Sequence, residues 1–352
     1  MKKYFLLFVC LGLLLTCMSV NACLFGKFKK SVAQEKVADF EIIPTMDYNS
    51  HAENVVWVGT FQLIWNDLID EIIKHPVEFA QKSVMADLLN KKSFNAVDLD
   101  EGAYYKKFGL ASAELKKEIE TAIKEKFNEK SDILNRFNWT PAPEKYVLYA
   151  MLKKDFEYIK PFDKLEDGDF NEKGSVKYFG INRDSDSSLR YTVRVLFYNN
   201  PNDFALLLKS KQGDNVYLYR TDDDKTLDKL YIDMNLKADK FMGIRTFGKK
   251  DEFKAPFLDF KKERSFDELC NKPIKNSNFM ISQAIETVQF KMNEAGVKLK
   301  SEAGMIVSLT CAPSFREEPR YFYFDKKYAI FLQEKEKPYF AMKIEDAKIL
   351  QQ

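Results

Sequence analysis

The most constraining feature of this sequence is the order of patterns in its C-terminal part. An apolar run over residues 281–290 leads into Asn293-Glu294-Ala295-Gly296, and apolar runs return at 324–332 and 338–344. Short runs of this kind are typical of buried strands, whereas Asn followed closely by Gly marks a turn. The order predicts a strand, a tight hinge, a long exposed loop and two paired apolar strands.

The rest of the chain predicts helices first and strands afterwards. After a short strand at 54–58, apolar residues recur at helical spacing over 61–73, 76–89 and 112–127, where Ser112 can cap the third helix. The other predicted elements are strands at 94–99, 146–152, 191–198, 204–208 and 216–219 and a short helix near 226–231. This segregation favours an α+β fold with large, mostly antiparallel sheets.

The N-terminus has the layout of an export signal. Lys2 and Lys3 precede a nearly all-apolar stretch that is too short to span a bilayer comfortably. The residues Val20-Asn21-Ala22-Cys23 then suit signal cleavage, and they also resemble a bacterial lipobox in which Cys23 becomes the lipidated first residue. We therefore expect an exported protein, either a cell-envelope lipoprotein that touches the membrane by its lipid anchor only or a secreted protein with an incidental Cys23.

Domain organisation follows from the same reading. Residues 1–22 are the predicted signal peptide, and the polar, Lys-rich residues 23–41 suit a tether. No Ser-, Pro- or Gly-rich linker interrupts residues 42–352, which favours a single large domain.

The sequence lacks the patterns of the common catalytic and cofactor sites. It has only two histidines, His51 and His75, and no nucleophile elbow, phosphate-binding loop, Cys-x-x-Cys or His-Glu-x-x-His. The acidic clusters at 184–186 and 222–224 lack the spacing of a calcium loop. We predict no enzyme activity, no cofactor and no metal site.

Charge and cysteine content narrow the choice of partners. The 55 basic and 53 acidic residues leave a formal charge of +2, so no strong field attracts nucleic acid, and a monomer is expected. Outside the signal and Cys23, only Cys270 and Cys311 remain. Two free thiols are the simpler interpretation, and a disulfide between them stays open.

The order of these patterns resembles the serpins, the conformational protease inhibitors. Besides the C-terminal order, Lys160-Pro161-Phe162-Asp163 resembles the family's K-P-F-D segment, and Asn54-Val55-Val56-Trp57 resembles the segment that opens its early helix. The resemblance implies a serpin-like α+β domain, with helices packed toward the N-terminal half and an exposed loop near the C-terminus.

The resemblance also implies a function. In a serpin-like chain, the hinge of the reactive loop would comprise Glu294, Gly296 and Val297. The family's spacing places the scissile bond near Thr310-Cys311. The target would be a serine or cysteine protease, trapped when the cleaved loop inserts as a new central strand. After Gly296 the two alternating sets are Val297, Leu299, Ser301, Ala303 and Met305, and Lys298, Lys300, Glu302 and Gly304.

This alternation suits insertion but equally suits a resident edge strand. Leu299 is bulkier than the small residues that the family prefers, and overpacking there would cost about 1–3 kcal/mol.

Two departures favour another function. Val58, Gly59 and Phe61 stand where serpins carry Ser, Pro and Ser, and Glu286 stands where they carry His, so the family's hydrogen-bonded latch is expected to be absent. The first alternative is a non-inhibitory serpin-fold lipoprotein with a binding or structural role at the cell surface. The second is an unrelated α+β envelope lipoprotein.

Overall fold

Strands dominate the fold. The structure, a computed structural model, describes residues 39–299 and 318–350. The strands of these residues are β1 Phe40–Ile42, β2 Asn54–Val58, β3 Tyr104–Leu110, β4 Tyr146–Leu152, β5 Lys154–Glu157, β6 Asp163–Asp169, β7 Ser175–Ile181, β8 Val193–Asn200, β9 Asp203–Lys209, β10 Asn215–Arg220, β11 Glu252–Pro256, β12 Leu258–Ser265, β13 Ile285–Met292, β14 Gly296–Leu299, β15 Tyr321–Tyr323, β16 Tyr328–Gln333 and β17 Pro338–Ile344.

These strands form four sheets. The largest has the order β1-β2-β17-β16-β10-β9-β8, and a second has the order β15-β11-β7-β6. The other two, β12-β13-β14-β5 and β3-β4, flank the candidate site described below. Most neighbours pair antiparallel, and the exceptions among the described strands are β1 with β2 and β11 with β15. The predicted α+β class with mostly antiparallel sheets is confirmed.

The core contains the apolar strands that have a neighbouring strand on each side. All seven residues of β17 are buried, as expected for a continuous apolar run with a neighbouring strand on each side. β16 and β17 pair antiparallel from Tyr328 opposite Ile344, so the predicted pair of C-terminal strands is confirmed. The predicted hairpin of β8 and β9 also forms.

The helices lie mainly in the first half of the described chain. They are α1 Thr60–Asp67, which continues as a π-helix over Leu68–Ile73, then α2 Val84–Leu89, α3 Ala113–Phe127 and α4 Leu227–Lys240. The Ser112 hydroxyl accepts a hydrogen bond from the backbone N–H of Leu115 at 3.1 Å, so the predicted cap of α3 is confirmed.

Two predictions from local pattern are wrong. The helix predicted to begin at Pro76 begins only after Ser83, which caps it, while Phe79 bridges to Ile274 as extended chain. The strand predicted over 94–99 is a short 3₁₀-helix, Ala96–Asp98, because the side chains of Asn95 and Asp98 form a reciprocal capping box. In both places side-chain hydrogen bonds outweigh apolar spacing.

Other boundaries shift by a few residues. β8 begins at Val193 and β13 at Ile285, later than the apolar runs suggested, and α4 is longer than predicted. Phe40 and Glu41, placed in the predicted tether, belong to β1 and pair with β2. Within the described ranges, no helix is both long and apolar enough to cross a membrane.

Candidate functional site: a cleft between two strand edges

A cleft of about 1110 Å³ separates β4 from β13. β4 pairs on one side with β3, and β13 pairs on one side with β12. Toward the cleft, among the described residues, β4 has no strand partner and β13 is paired only at Lys291 and Met292. Two strand edges therefore face the same space with unused backbone donors and acceptors.

The cleft has an apolar floor and a charged rim. Side chains from α1 and the π-helix line the floor, namely Phe61, Ile64, Trp65, Leu68 and Ile72. Charged side chains line the rim, including Lys130, Asp132, Lys145, Lys153, Lys291 and Lys298. A floor of this kind favours burial of apolar side chains, whereas the rim suits a solvated chain.

β4 separates two apolar clusters. Val147 and Tyr149 pack with α3, whereas Ala150 and Leu152 pack against the main core on the opposite face. The strand itself has the predicted bounds. Several of its side chains stay partly exposed because the cleft runs along its edge.

One end of the cleft is already occupied by β14. β14 runs antiparallel to both neighbours, with Met292 opposite Val297 on one side and Phe156 opposite Val297 on the other. The Val297 side chain is fully buried. Since neighbouring strands lie about 4.8 Å apart, the space between β13 and β5 is one strand wide at this end.

The hinge between β13 and β14 is a tight turn. The Asn293 side-chain oxygen accepts hydrogen bonds from the N–H groups of Ala295 and Gly296 at 3.0 and 3.2 Å. A Cβ atom on Gly296 would lie 2.2 Å from the Phe156 carbonyl oxygen, so only glycine fits. The Glu294 carboxylate lies 3.2 Å from Lys164 Nζ. The structure thus places Glu294, Gly296 and Val297 together where the chain enters the cleft.

The segment from Tyr158 to Phe162 holds this hinge from the side. The N–H of Phe162 donates to the Glu294 carbonyl at 2.9 Å, and the N–H of Tyr158 donates to the Ala295 carbonyl at 3.0 Å. Tyr158 and Phe162 are themselves buried and in edge-to-face contact. These bonds fix the direction in which the chain leaves β13.

Glu286 lies at the floor of the cleft. Its side chain is 5% exposed, and one carboxyl oxygen accepts a hydrogen bond from the Thr60 hydroxyl at 2.6 Å. Burial raises the pKa of Glu286 to about 7, despite opposing effects of the Thr60 hydroxyl, the Phe61 N–H and the Arg264 charge. The Thr60–Glu286 hydrogen bond, which is not the latch that was expected to be absent, links β13 to α1.

Where the described chain resumes at residue 318, it is held by Arg320. Arg320 Nη2 lies 2.6 Å from an Asp251 carboxylate oxygen, and the guanidinium also donates to the carbonyls of Ile244 and Thr246. The Asp251 side chain is almost fully buried. This charge-assisted pairing anchors the chain just before β15.

Several predicted residues lie outside the described ranges. Thr310, Cys311 and Cys23 fall there, so the scissile bond and the lipidation site stay predictions. Cys270 is a buried free thiol whose Sγ donates to the Phe266 carbonyl at 3.4 Å, and burial raises its pKa. In the part of the chain that is described, no group of three or more His, Cys, Asp or Glu side chains is placed to hold a metal.

Comparison with solved structures finds several chains with limited similarity to this one. Serpin48 of the insect Tenebrio molitor matches with 14% identity and a TM-score of 0.40 over 66% of this chain. Thyroxine-binding globulin in complex with thyroxine matches with 10% identity and a TM-score of 0.47, and maspin with 10% and 0.49, each over 83% of this chain and 92% of the other. These are similarities to individual solved structures, each with a TM-score below 0.5.

The match to Serpin48 spans 64% of that protein, less than two thirds of its length. No family model and no curated protein matches this sequence. At these identities and TM-scores, the similarity does not bear on activity, ligands or partners.

Proposed function

We propose that this chain is a serpin-like inhibitor of a serine or cysteine endopeptidase, acting by cleavage and insertion of its own loop. The observation that carries the proposal is the cleft, which lies between two strand edges that are largely unpaired among the described residues and is already entered by β14. The segment that leaves β14 is the one with alternating small and charged residues.

The register of β14 predicts how the segment would fit. Lys291 is opposite Lys298 on one side, and Lys154 is opposite Leu299 on the other. Continued, this register would set Ser301 between Val288 and Leu152, and Ala303 between Glu286 and Ala150. Val288 and Glu286 are buried, and Leu152 and Ala150 pack against the main core. The small residues would then face the core.

Insertion would join two separate sheets. A strand over 300–307 would pair with β13 on one side and β4 on the other, so β12, β13, β14, β5, β4 and β3 would become one sheet. Residue 307 would reach the end of β4 at Tyr146 by the same register. Thr310 would lie beyond that end, so a protease attached there would be carried across the sheet.

The test of inhibition is covalent trapping. The mature protein is incubated with a panel of serine and cysteine proteases, and the products are separated on denaturing gels. We expect a complex with at least one protease that cleaves within 300–317. Cleavage by such proteases without any complex would contradict inhibition.

A matched pair of variants ties trapping to insertion. We expect Ala303→Arg to abolish the complex while cleavage continues, because the register turns residue 303 toward the buried face and a buried unpaired charge is costly. Glu302→Arg places the same side chain on the opposite face, where a charged residue already stands, and should retain the complex. Equal trapping by both variants would contradict the register.

One observation favours a non-inhibitory binding or structural protein instead. The buried carboxyl group of Glu286, whose pKa burial raises to about 7, lies beside the path that the inserted strand would take. At neutral pH its ionised form would disfavour a dry strand interface. A protein whose loop is cut without insertion would fit this second function.

A further inference from the structure

Glu286 joins two layers of the fold through a single side chain. The residue belongs to β13, and its hydrogen-bond partner Thr60 is the first residue of α1. Its second carboxyl oxygen is buried and has no hydrogen-bond partner among the described residues. The contact between strand and helix is therefore half satisfied.

The charges around Glu286 do not neutralise it fully. Arg264 on β12 lies directly opposite in the strand register, and its guanidinium favours the ionised carboxylate. That guanidinium is already bonded to Glu41 at 2.5 Å, to the Ile42 carbonyl at 2.7 Å and to Glu268. The other charged side chains that line the cleft are Glu129, Lys130, Asp132, Glu144, Lys145, Lys153, Asp267, Lys291 and Lys298.

The neutral and the ionised forms of the Glu286 side chain differ in the cost of their burial. A neutral carboxyl group can keep the Thr60 bond and leave one buried oxygen at moderate cost. An ionised one places a charge in the same space, where the Thr60 hydroxyl, the Phe61 N–H and the Arg264 charge offset only part of the burial cost, and water entering between β13 and α1 would relieve the rest. The N-terminus of α1 offsets only part of this cost.

We propose that Glu286 is a proton-controlled clasp, which holds β13 against α1 when protonated and loosens the floor of the cleft when it ionises. Uptake or release of one proton from solvent is the whole reaction. The clasp is a property of the folded chain before any cleavage, so it does not depend on loop insertion.

The direction of the pH effect follows from the raised pKa. The pKa is about 7 in the folded chain against an ordinary value of 4.5. The folded state therefore binds the proton more tightly, so this contribution to stability is complete below about pH 4.5 and is lost as the pH rises through about 7. The pKa values of Asp67 and Asp214 are also raised by burial, so the Glu286 effect must be isolated by substitution.

The experiment compares melting temperatures of the intact protein and Glu286→Gln from pH 4.5 to 9. We expect the wild-type melting temperature to fall relative to the variant by about 5 °C across this range, because the amide keeps an acceptor for Thr60 but never ionises. Parallel curves for the two proteins would overturn the proposal. His51→Gln/His75→Gln serves as a control that should retain the wild-type step.

A second pair of variants tests the clasp even if Glu286→Gln fails to fold. Thr60→Val removes the hydroxyl that stabilises the ionised carboxylate, so the midpoint of the step should move to higher pH, whereas Thr60→Ser should leave it in place. Tryptophan fluorescence, to which Trp65 beside the cleft contributes together with Trp57 and Trp139, gives a second readout of the midpoint. An identical midpoint in the Val and Ser variants would overturn the assignment to Glu286.

Discussion

Cleavage between Ile306 and Arg320 is expected to raise the melting temperature of this protein by about 10 °C or more. A freed segment can pair with the unused edges of β4 and β13, and each ladder hydrogen bond contributes about 1 kcal/mol net. Apolar side chains would also gain contacts above the floor of α1. The change is measured by calorimetry on the intact and the nicked protein.

The matched control for this experiment is nicked Ala303→Arg, which should not gain stability. An unchanged or lower melting temperature in the nicked wild-type protein would show that its loop does not insert, and would favour the non-inhibitory function.

Gly296→Val is expected to detach β14 from β5. The added Cβ would approach the Phe156 carbonyl oxygen to 2.2 Å and the Glu157 Cα to 2.8 Å, and both are backbone atoms of a paired strand. Release of β14 exposes the buried Val297 side chain, which costs about 2 kcal/mol in unfolding free energy. Urea denaturation measures this loss, and cleavage should no longer raise the melting temperature of the variant.

Ala295→Val is the control for the hinge substitution. Ala295 adjoins Gly296 in the same turn, but its side chain is exposed. We expect near wild-type stability and an undiminished response to cleavage. Equal losses in the two variants would mean that the close approach at Gly296 does not determine the pairing of β14.

Local sequence patterns correctly predicted the elements for which the apolar periodicity and the end signals indicate the same bounds. The strand at 54–58 and the helix that Ser112 caps have the expected bounds, since burial pattern and end signals coincide there. The prediction of a strand over 94–99 was wrong because the Asn95–Asp98 capping box outweighed the alternating pattern. Local hydrogen bonds of this kind are hard to weigh from spacing alone.

The cleft could not be predicted from the sequence. Whether β4 and β13 pair with each other or stay apart depends on contacts between residues more than a hundred positions distant. The hinge was predicted because Asn293 and Gly296 carry a local turn signal. The hydrogen bond between Thr60 and Glu286 was not predicted. The two residues are 226 positions apart, and a single threonine at the start of a helix does not indicate its partner.

The most direct test of the central claim, that the cleft receives the chain's own loop as a strand, is hydrogen exchange of the nicked protein. We predict slower exchange after cleavage for amides in both 146–152 and 285–290, since a strand between β4 and β13 would bond to both edges. The strand β17, already paired on both sides, serves as the internal reference. Unchanged exchange at both edges of the cleft would contradict the claim.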